Sequence, residues 1–279
     1  MAKKKSRCRS RGPVFYILFF LLLGVFCFSS WKVGSYLLGG AEQKQQFDQL
    51  SQLVQQNREA FTPGKASESN ADSQEETSPS EATEPEIFPE YAALLELNPD
   101  TAGWIRIDGT VIDYPVMHTP EDPEKYLHKN FEGEYSYAGV PFIDYRCTED
   151  SDNLVIYGHN MADGTMFHTL PQYEKKDHWQ SHPVIRFDSV YEEREYEVVA
   201  AFYDRIYYTH ETDFKFYNFI DAADQAEYDN AVEQFKKKSL YDTGVTPEYG
   251  QQLITLVTCT YHVDNGRFVV VACEKEQHR

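Results

Sequence analysis

Between residues 103 and 274 one pattern recurs eight times: a run rich in apolar, β-branched and aromatic residues, bounded by turn chemistry. The runs fall at 103–107, 111–116, 139–143, 153–157, 183–188, 194–207, 253–258 and 267–274. Helical patterns lie between them near 121–128, 164–180 and 221–238, the last with Ala223, Ala226, Ala231, Val232 and Phe235 on one stripe. Strands dominate and helices decorate them. The fold class expected is therefore mainly β with inserted helices, an antiparallel or mixed barrel. From Phe88 onward about 190 residues remain, an ordinary size for one domain with one core. A short amphipathic helix over 88–97 opens it, and Asn98-Pro99-Asp100 ends that helix.

The last two strands carry the first chemical signal. Thr255-Leu256-Val257-Thr258 leads into Cys259, Asp264-Asn265-Gly266 supplies a turn, and Arg267 opens the next strand. Neighbouring strands would then hold a thiol at the end of one and a guanidinium at the start of the other. A fixed cation near a thiol favours the thiolate and can also hold a developing oxyanion. Sequence does not separate these two roles for Arg267. A lone cysteine after such a strand is ordinarily core packing; the strand-end position and the arginine set Cys259 apart. A hundred residues upstream, Asn153-Leu154-Val155-Ile156-Tyr157 is a buried-type strand that runs into Gly158-His159. A histidine just past a strand end is placed for proton transfer. His262, three residues beyond Cys259, is the competing histidine.

The N-terminus bears on the compartment. Lys3, Lys4, Lys5, Arg7, Arg9 and Arg11 precede an eighteen-residue uncharged run at 14–31. That length spans a bilayer, and the basic flank predicts a cytoplasmic N-terminus. The expected layout is a basic cytoplasmic tail at 1–13, a transmembrane anchor at 14–38, a solvated stalk helix at 39–61, an acidic disordered linker at 62–87 and a catalytic domain at 88–279. A cleaved signal peptide is the rival for the first segment, and Ser29-Ser30-Trp31-Lys32 is a poor cleavage site for it. Within the stalk, Phe47, Leu50, Leu53, Val54 and Phe61 recur at helical spacing. The linker has almost no large apolar side chain and cannot form a core.

The whole chain carries −19, and six positive charges precede residue 12, so the remainder stands at −25. That balance argues against a nucleic-acid partner. Five cysteines, Cys8, Cys27, Cys147, Cys259 and Cys273, do not make a disulfide framework. No metal-ligand spacing and no glycine-rich phosphate loop are present, so neither a metal nor another cofactor is expected.

The segment from 88 to 275 resembles the sortases, cysteine transpeptidases of Gram-positive surfaces. The resemblance rests on the T-L-x-T-C form of residues 255–259, on Arg267, and on Tyr157-Gly158-His159. It extends to Gly103-Trp104-Ile105-Arg106-Ile107, Phe142-Ile143-Asp144-Tyr145-Arg146 and Gly158-His159-Asn160-Met161; the stretch before Ser239-Leu240-Tyr241-Asp242 is similar to class B in particular.

The resemblance implies an eight-stranded sortase-type barrel behind an N-terminal transmembrane helix, with His159, Cys259 and Arg267 as catalytic residues. It implies substrate contacts from Leu127, Tyr157 and Thr258. The partners it implies are surface proteins with a C-terminal NPxTN-like or PxTG-like sorting signal, and a peptidoglycan cross-bridge or its lipid-linked precursor. Class A sortases often use calcium, and the resemblance to class B does not imply it. The chain departs from many of them in reading Thr260-Tyr261-His262 after the cysteine, where an acid is common. Two alternatives stand beside this reading: a thiol peptidase that only hydrolyses, and a catalytically idle, membrane-tethered adhesin.

Overall fold

In the computed structural model, which describes residues 13–61 and 87–275, the strands close into a single barrel. They are β1 (Thr101–Arg106), β2 (Asp113–Met117), β3 (Phe142–Ile143), β4 (Asn153–Tyr157), β5 (Val184–Ser189), β6 (Glu193–Arg205), β7 (Leu253–Cys259) and β8 (Gly266–Glu274). Their order around the barrel is β1-β2-β3-β4-β7-β8-β6-β5, with β5 pairing back onto β1. Closure removes the free edges that an open sheet would expose. Two neighbour pairs are parallel, β2 with β3 and β4 with β7; the others are antiparallel. Val155, Ile156, Phe202, Leu256 and Val270 are fully buried, as the apolar runs require.

The helices follow the sequence less closely. Helix α2 (Pro89–Leu97) begins with proline in its first turn, where a missing N–H costs nothing. The pattern at 164–180 divides into a 3-10 helix, Phe167–Glu174, and α3 (Lys176–Ser181). Pro171 lies inside the first piece, and an α-helix does not tolerate it in its interior. The insert near 121–128 contracts to one 3-10 turn, Lys125–Leu127. Helix α4 (Gln225–Lys238) is capped by Asp224, whose carboxylate accepts from Glu227 N at 3.0 Å.

Helix α1 runs from Pro13 to Phe61, and the chain divides into two compact units between Glu42 and Gln43. In the first unit the helix is lined by exposed apolar side chains, Leu18, Leu22, Phe26 and Trp31 among them. Its most apolar window has a mean hydropathy of 2.2, long and apolar enough to cross a membrane. The basic tail and the acidic linker lie, apart from Pro13 and Ile87, outside the described residues.

Residues 39–61 are helical as expected, but from Gln43 onward they are not a solvated stalk. Phe47, Leu50 and Val54 are buried, and the Phe47 ring meets Tyr114 edge-on at 5.1 Å. Ser51 donates to Asp113 at 3.2 Å, and Arg58 pairs with Glu90, Asp188 and Glu193 at 3.2, 3.2 and 2.8 Å. The apolar stripe read as one face of a free helix is a docking face, and the folded body starts at Gln43 rather than Phe88.

Burying a large apolar side chain stabilises by about 1.5–3 kcal/mol. A chain beginning at Phe88 lacks three such side chains and uncovers the surface they meet. Its thermal midpoint is expected to lie several degrees below that of a chain beginning at Gln43, by circular dichroism. Equal midpoints would show that the helix adds nothing to the fold.

Candidate active site

The site is assembled by strand register. Cys259, the last residue of β7, is the direct cross-strand partner of Arg267 on β8, so both side chains leave the sheet on one face. Arg267 in turn faces Asp204 on β6. On the other side of β7, the parallel pairing with β4 sets Tyr157 opposite Val257. Two residues further along each strand lie His159 and Cys259, at the same end of the barrel.

Short hydrogen bonds hold the two strand ends together. Gly158 N donates to Val257 O at 3.1 Å, and Thr258 Oγ1 donates to Gly158 O at 2.7 Å. The Asn160 amide donates from Nδ2 to Cys259 O at 3.1 Å, while its Oδ1 meets His168 Nδ1 at 3.0 Å. The residues on either side of His159 are thus tied to the end of β7. A side-chain carbon at Gly158 would stand 2.7 Å from the Phe167 ring, so glycine is needed for the histidine turn to pack against that ring.

His159 is half-buried. Its Nε2 lies 2.9 Å from Leu127 O, and its ring stacks on His128 at 5.5 Å. A carbonyl oxygen only accepts, so Nε2 carries the hydrogen of the neutral ring and Nδ1 is its unprotonated nitrogen. Burial lowers the His159 pKa from the ordinary 6.5; the Leu127 carbonyl opposes that shift and His128 adds to it.

Cys259 is half-buried, whereas Cys147 and Cys273 are fully buried free thiols. Burial pushes those two thiols up to about 12 and about 11. Arg267 Nη1 donates to Gly266 O at 2.9 Å and to Asn265 O at 3.3 Å. One end of the guanidinium fork is thereby anchored on its own turn, where Asn265 takes a positive φ of 57°.

The residues expected to contact substrate divide. Leu127 is half-buried at the end of its 3-10 turn and touches the site through its carbonyl. Tyr157 donates from its hydroxyl to Asp144 Oδ2 at 3.0 Å, and its ring lies beside Phe142 at 5.6 Å. Thr258 is buried, with its hydroxyl engaged on Gly158. His262 is exposed and turned to Thr260 Oγ1 at 2.6 Å and to the Tyr203 ring. Asn160 is a site residue that strand patterns did not single out; its place directly after Gly-His is the only sequence signal it gives.

Titration of these groups feeds back on stability. His159, His118 and His178 all have pKa values lowered from 6.5, burial being the largest cause in each. The fold therefore favours the neutral rings, and the unfolded chain binds more protons. Stability is fully present above about pH 6.5 and declines below it. Burial pushes the Asp144 carboxyl up, but the guanidinium and backbone N–H of Arg146 with the Tyr157 hydroxyl together hold it below its usual range; Lys125 and Tyr126 do the same for Asp100. Their contribution is present above about pH 4 and lost as those carboxylates protonate. Calorimetry is expected to find the melting temperature falling in two stages on acidification. A flat profile between pH 7 and 5 would contradict the histidine part.

Comparison with known proteins agrees with this geometry. Residues 105–275 match the family model of the sortase domain. The sortase B of Listeria monocytogenes is 32% identical over 254 residues, 90% of this chain and 92% of that protein. A crystal structure of sortase B from Bacillus anthracis in complex with AAEK1 superposes with a TM-score of 0.60 at 32% identity, covering 68% of this chain and 86% of the other. The Staphylococcus aureus sortase B–substrate complex superposes with a TM-score of 0.69 at 24% identity, covering 86% and 99%, a likeness of fold.

Proposed function

The chain belongs to the sortase family and is a class B cysteine transpeptidase, and from that premise we propose that it joins surface proteins to peptidoglycan from a membrane-anchored position. The observation that carries the site is the cross-strand pairing of Cys259 with Arg267, with the Gly158–Asn160 turn tied to the same strand end.

In this reading the Cys259 thiolate attacks the threonine carbonyl of an NPxTN-like or PxTG-like sorting signal. The carbonyl π electrons move onto oxygen, and the Arg267 guanidinium offers donors to that oxyanion. Collapse breaks the C–N bond. Protonated His159 delivers its Nδ1 proton to the departing amine, leaving a Cys259 thioester. An amino group of the peptidoglycan cross-bridge, or of its lipid-linked precursor, then attacks while neutral His159 accepts its proton. The new amide forms and the thiolate is released. Leu127 and the Tyr157 ring are the contacts assigned to the signal, and Thr258 supports the site by fixing the Gly158 carbonyl. Membership of the sortase family supports a sorting signal as the substrate. Six basic residues before an apolar helix support an N-terminus in the cytoplasm and a catalytic domain outside.

The test is product analysis by mass spectrometry on sorting-signal peptides with and without an added oligoglycine amine. A new amide at threonine is expected with the amine, and slow hydrolysis without it. Hydrolysis unaffected by any amine would reduce the enzyme to a thiol peptidase.

A further inference from the structure

Helix α1 reaches the candidate acid by two separate routes. The buried Gln43 side chain donates from Nε2 to Gly139 O at 2.6 Å and accepts from Ser136 Oγ at 2.5 Å. Ser136 and Gly139 form the return arm of a loop whose outgoing arm is 126–130. The arms are tied by Val140 N to Tyr126 O at 3.1 Å and Ser136 N to His128 O at 3.0 Å. Gly139 has a positive φ of 60°, and a side-chain carbon there would lie 2.6 Å from Leu127 O. The arms are in direct contact at the carbonyl that receives His159 Nε2.

The second route starts one helical turn on. Phe47 packs edge-on against Tyr114, and the Tyr114 hydroxyl accepts from Met166 N at 3.1 Å. Met166 bridges to Asn160, and the adjoining Phe167 N donates to His159 O at 2.9 Å. One route fixes the histidine ring through its acceptor, and the other fixes its backbone.

We propose that Gln43 and Phe47 are positioning residues for catalysis: the docked half of helix α1 braces the 126–140 loop and the His159 turn, so that the ring stays on Leu127 O with Nδ1 presented to the reaction. This deepens the proposed function and rests on His159 being its acid. A helix that merely covered apolar surface would need no buried amide bridging two partners of an active-site loop. Gln43→Met keeps the length and shape of the side chain but leaves Gly139 O and Ser136 Oγ without their partner, a disruptive change at a buried site.

The experiment uses the full chain in detergent micelles. For Gln43→Met, kcat for peptide joining is expected to fall about tenfold to a hundredfold, the scale of a small misplacement of a reacting group. KM should stay within about twofold, and alkylation of Cys259 by iodoacetamide should keep its rate, since the β7–β8 pairing is untouched. The 15N spectrum of neutral His159 should change from one tautomer, protonated at Nε2, to a mixture. Ser136→Ala removes one partner of the same amide without altering the helix. It should produce the same tautomer change in milder form, and it replaces Gln43→Met if that variant does not fold. Unchanged kcat and tautomer would overturn the brace. So would a fall in kcat with the tautomer unaltered, which would mean general loosening. If the unmodified chain fails to join peptides, the proposed function falls, while the tautomer measurement still decides whether helix α1 orients His159.

Discussion

Cys259→Ala is expected to abolish both the thioester and the joined product, with turnover reduced by on the order of 10⁴ or more. No other described thiol can substitute. Cys147 and Cys273 are buried, that burial raises their pKa values and so suppresses the thiolate, and neither is at the β4–β7 strand end that carries His159. Cys27 is in the apolar part of α1. The fold should be nearly indifferent, because a small half-exposed side chain at a strand end contributes within about 1 kcal/mol. Trapping of the acyl-enzyme by mass spectrometry, beside a thermal melt, separates the two effects. A Cys259→Ala enzyme that still forms a covalent adduct or keeps substantial turnover would disprove the nucleophile.

Arg267→Lys is expected to lose nearly as much activity as Arg267→Ala, on the order of 10²–10³ in kcat, as removal of an oxyanion donor does. The geometry gives the reason. Nη1 is fixed on the carbonyls of Asn265 and Gly266, and the planar fork then directs its remaining N–H groups. A lysine ammonium bound to those carbonyls has no second, rigidly attached donor to present. It does retain a positive charge beside Cys259, so the two variants distinguish the roles that sequence left open. Near-normal kcat in Arg267→Lys would mean that charge on the thiolate suffices. The alkylation rate of Cys259 in each variant supplies the complementary reading.

The strands were legible because their β-branched, apolar composition and the intervening turns answer to local rules. All eight expected runs overlap an observed strand, though the third shrinks to Phe142–Ile143. Cys259, Arg267 and His159 were legible as residue types at strand ends. Which strands neighbour one another was not, since the β4–β7 pairing joins segments almost a hundred residues apart. The docking of α1 was hidden for a related reason. Phe47, Leu50 and Val54 announce an apolar face, but a one-dimensional pattern does not say what lies against it. Asn160 and Gln43 are polar residues that donate to main-chain carbonyls of distant segments, those of Cys259 and Gly139, and no periodicity marks such residues.

The parallel pairing of β4 with β7 bears on how this enzyme can change over time. His159 and Cys259 both lie at the ends of strands that run the same way, and main-chain hydrogen bonds, indifferent to side-chain identity, set the spacing of those strands. Everything between the two strands, α3, β5, β6 and α4 included, is one long excursion that departs beside the reaction centre and rejoins the sheet at the opposite end of the barrel. Outside its barrel strands and the 158–168 turn that carries His159, that excursion can lengthen, shorten or change its surface while the distance between the two strand ends stays fixed. The outer surface of the insert can therefore drift at little risk to the chemistry, a separation of variable from invariant parts that the strand order itself provides.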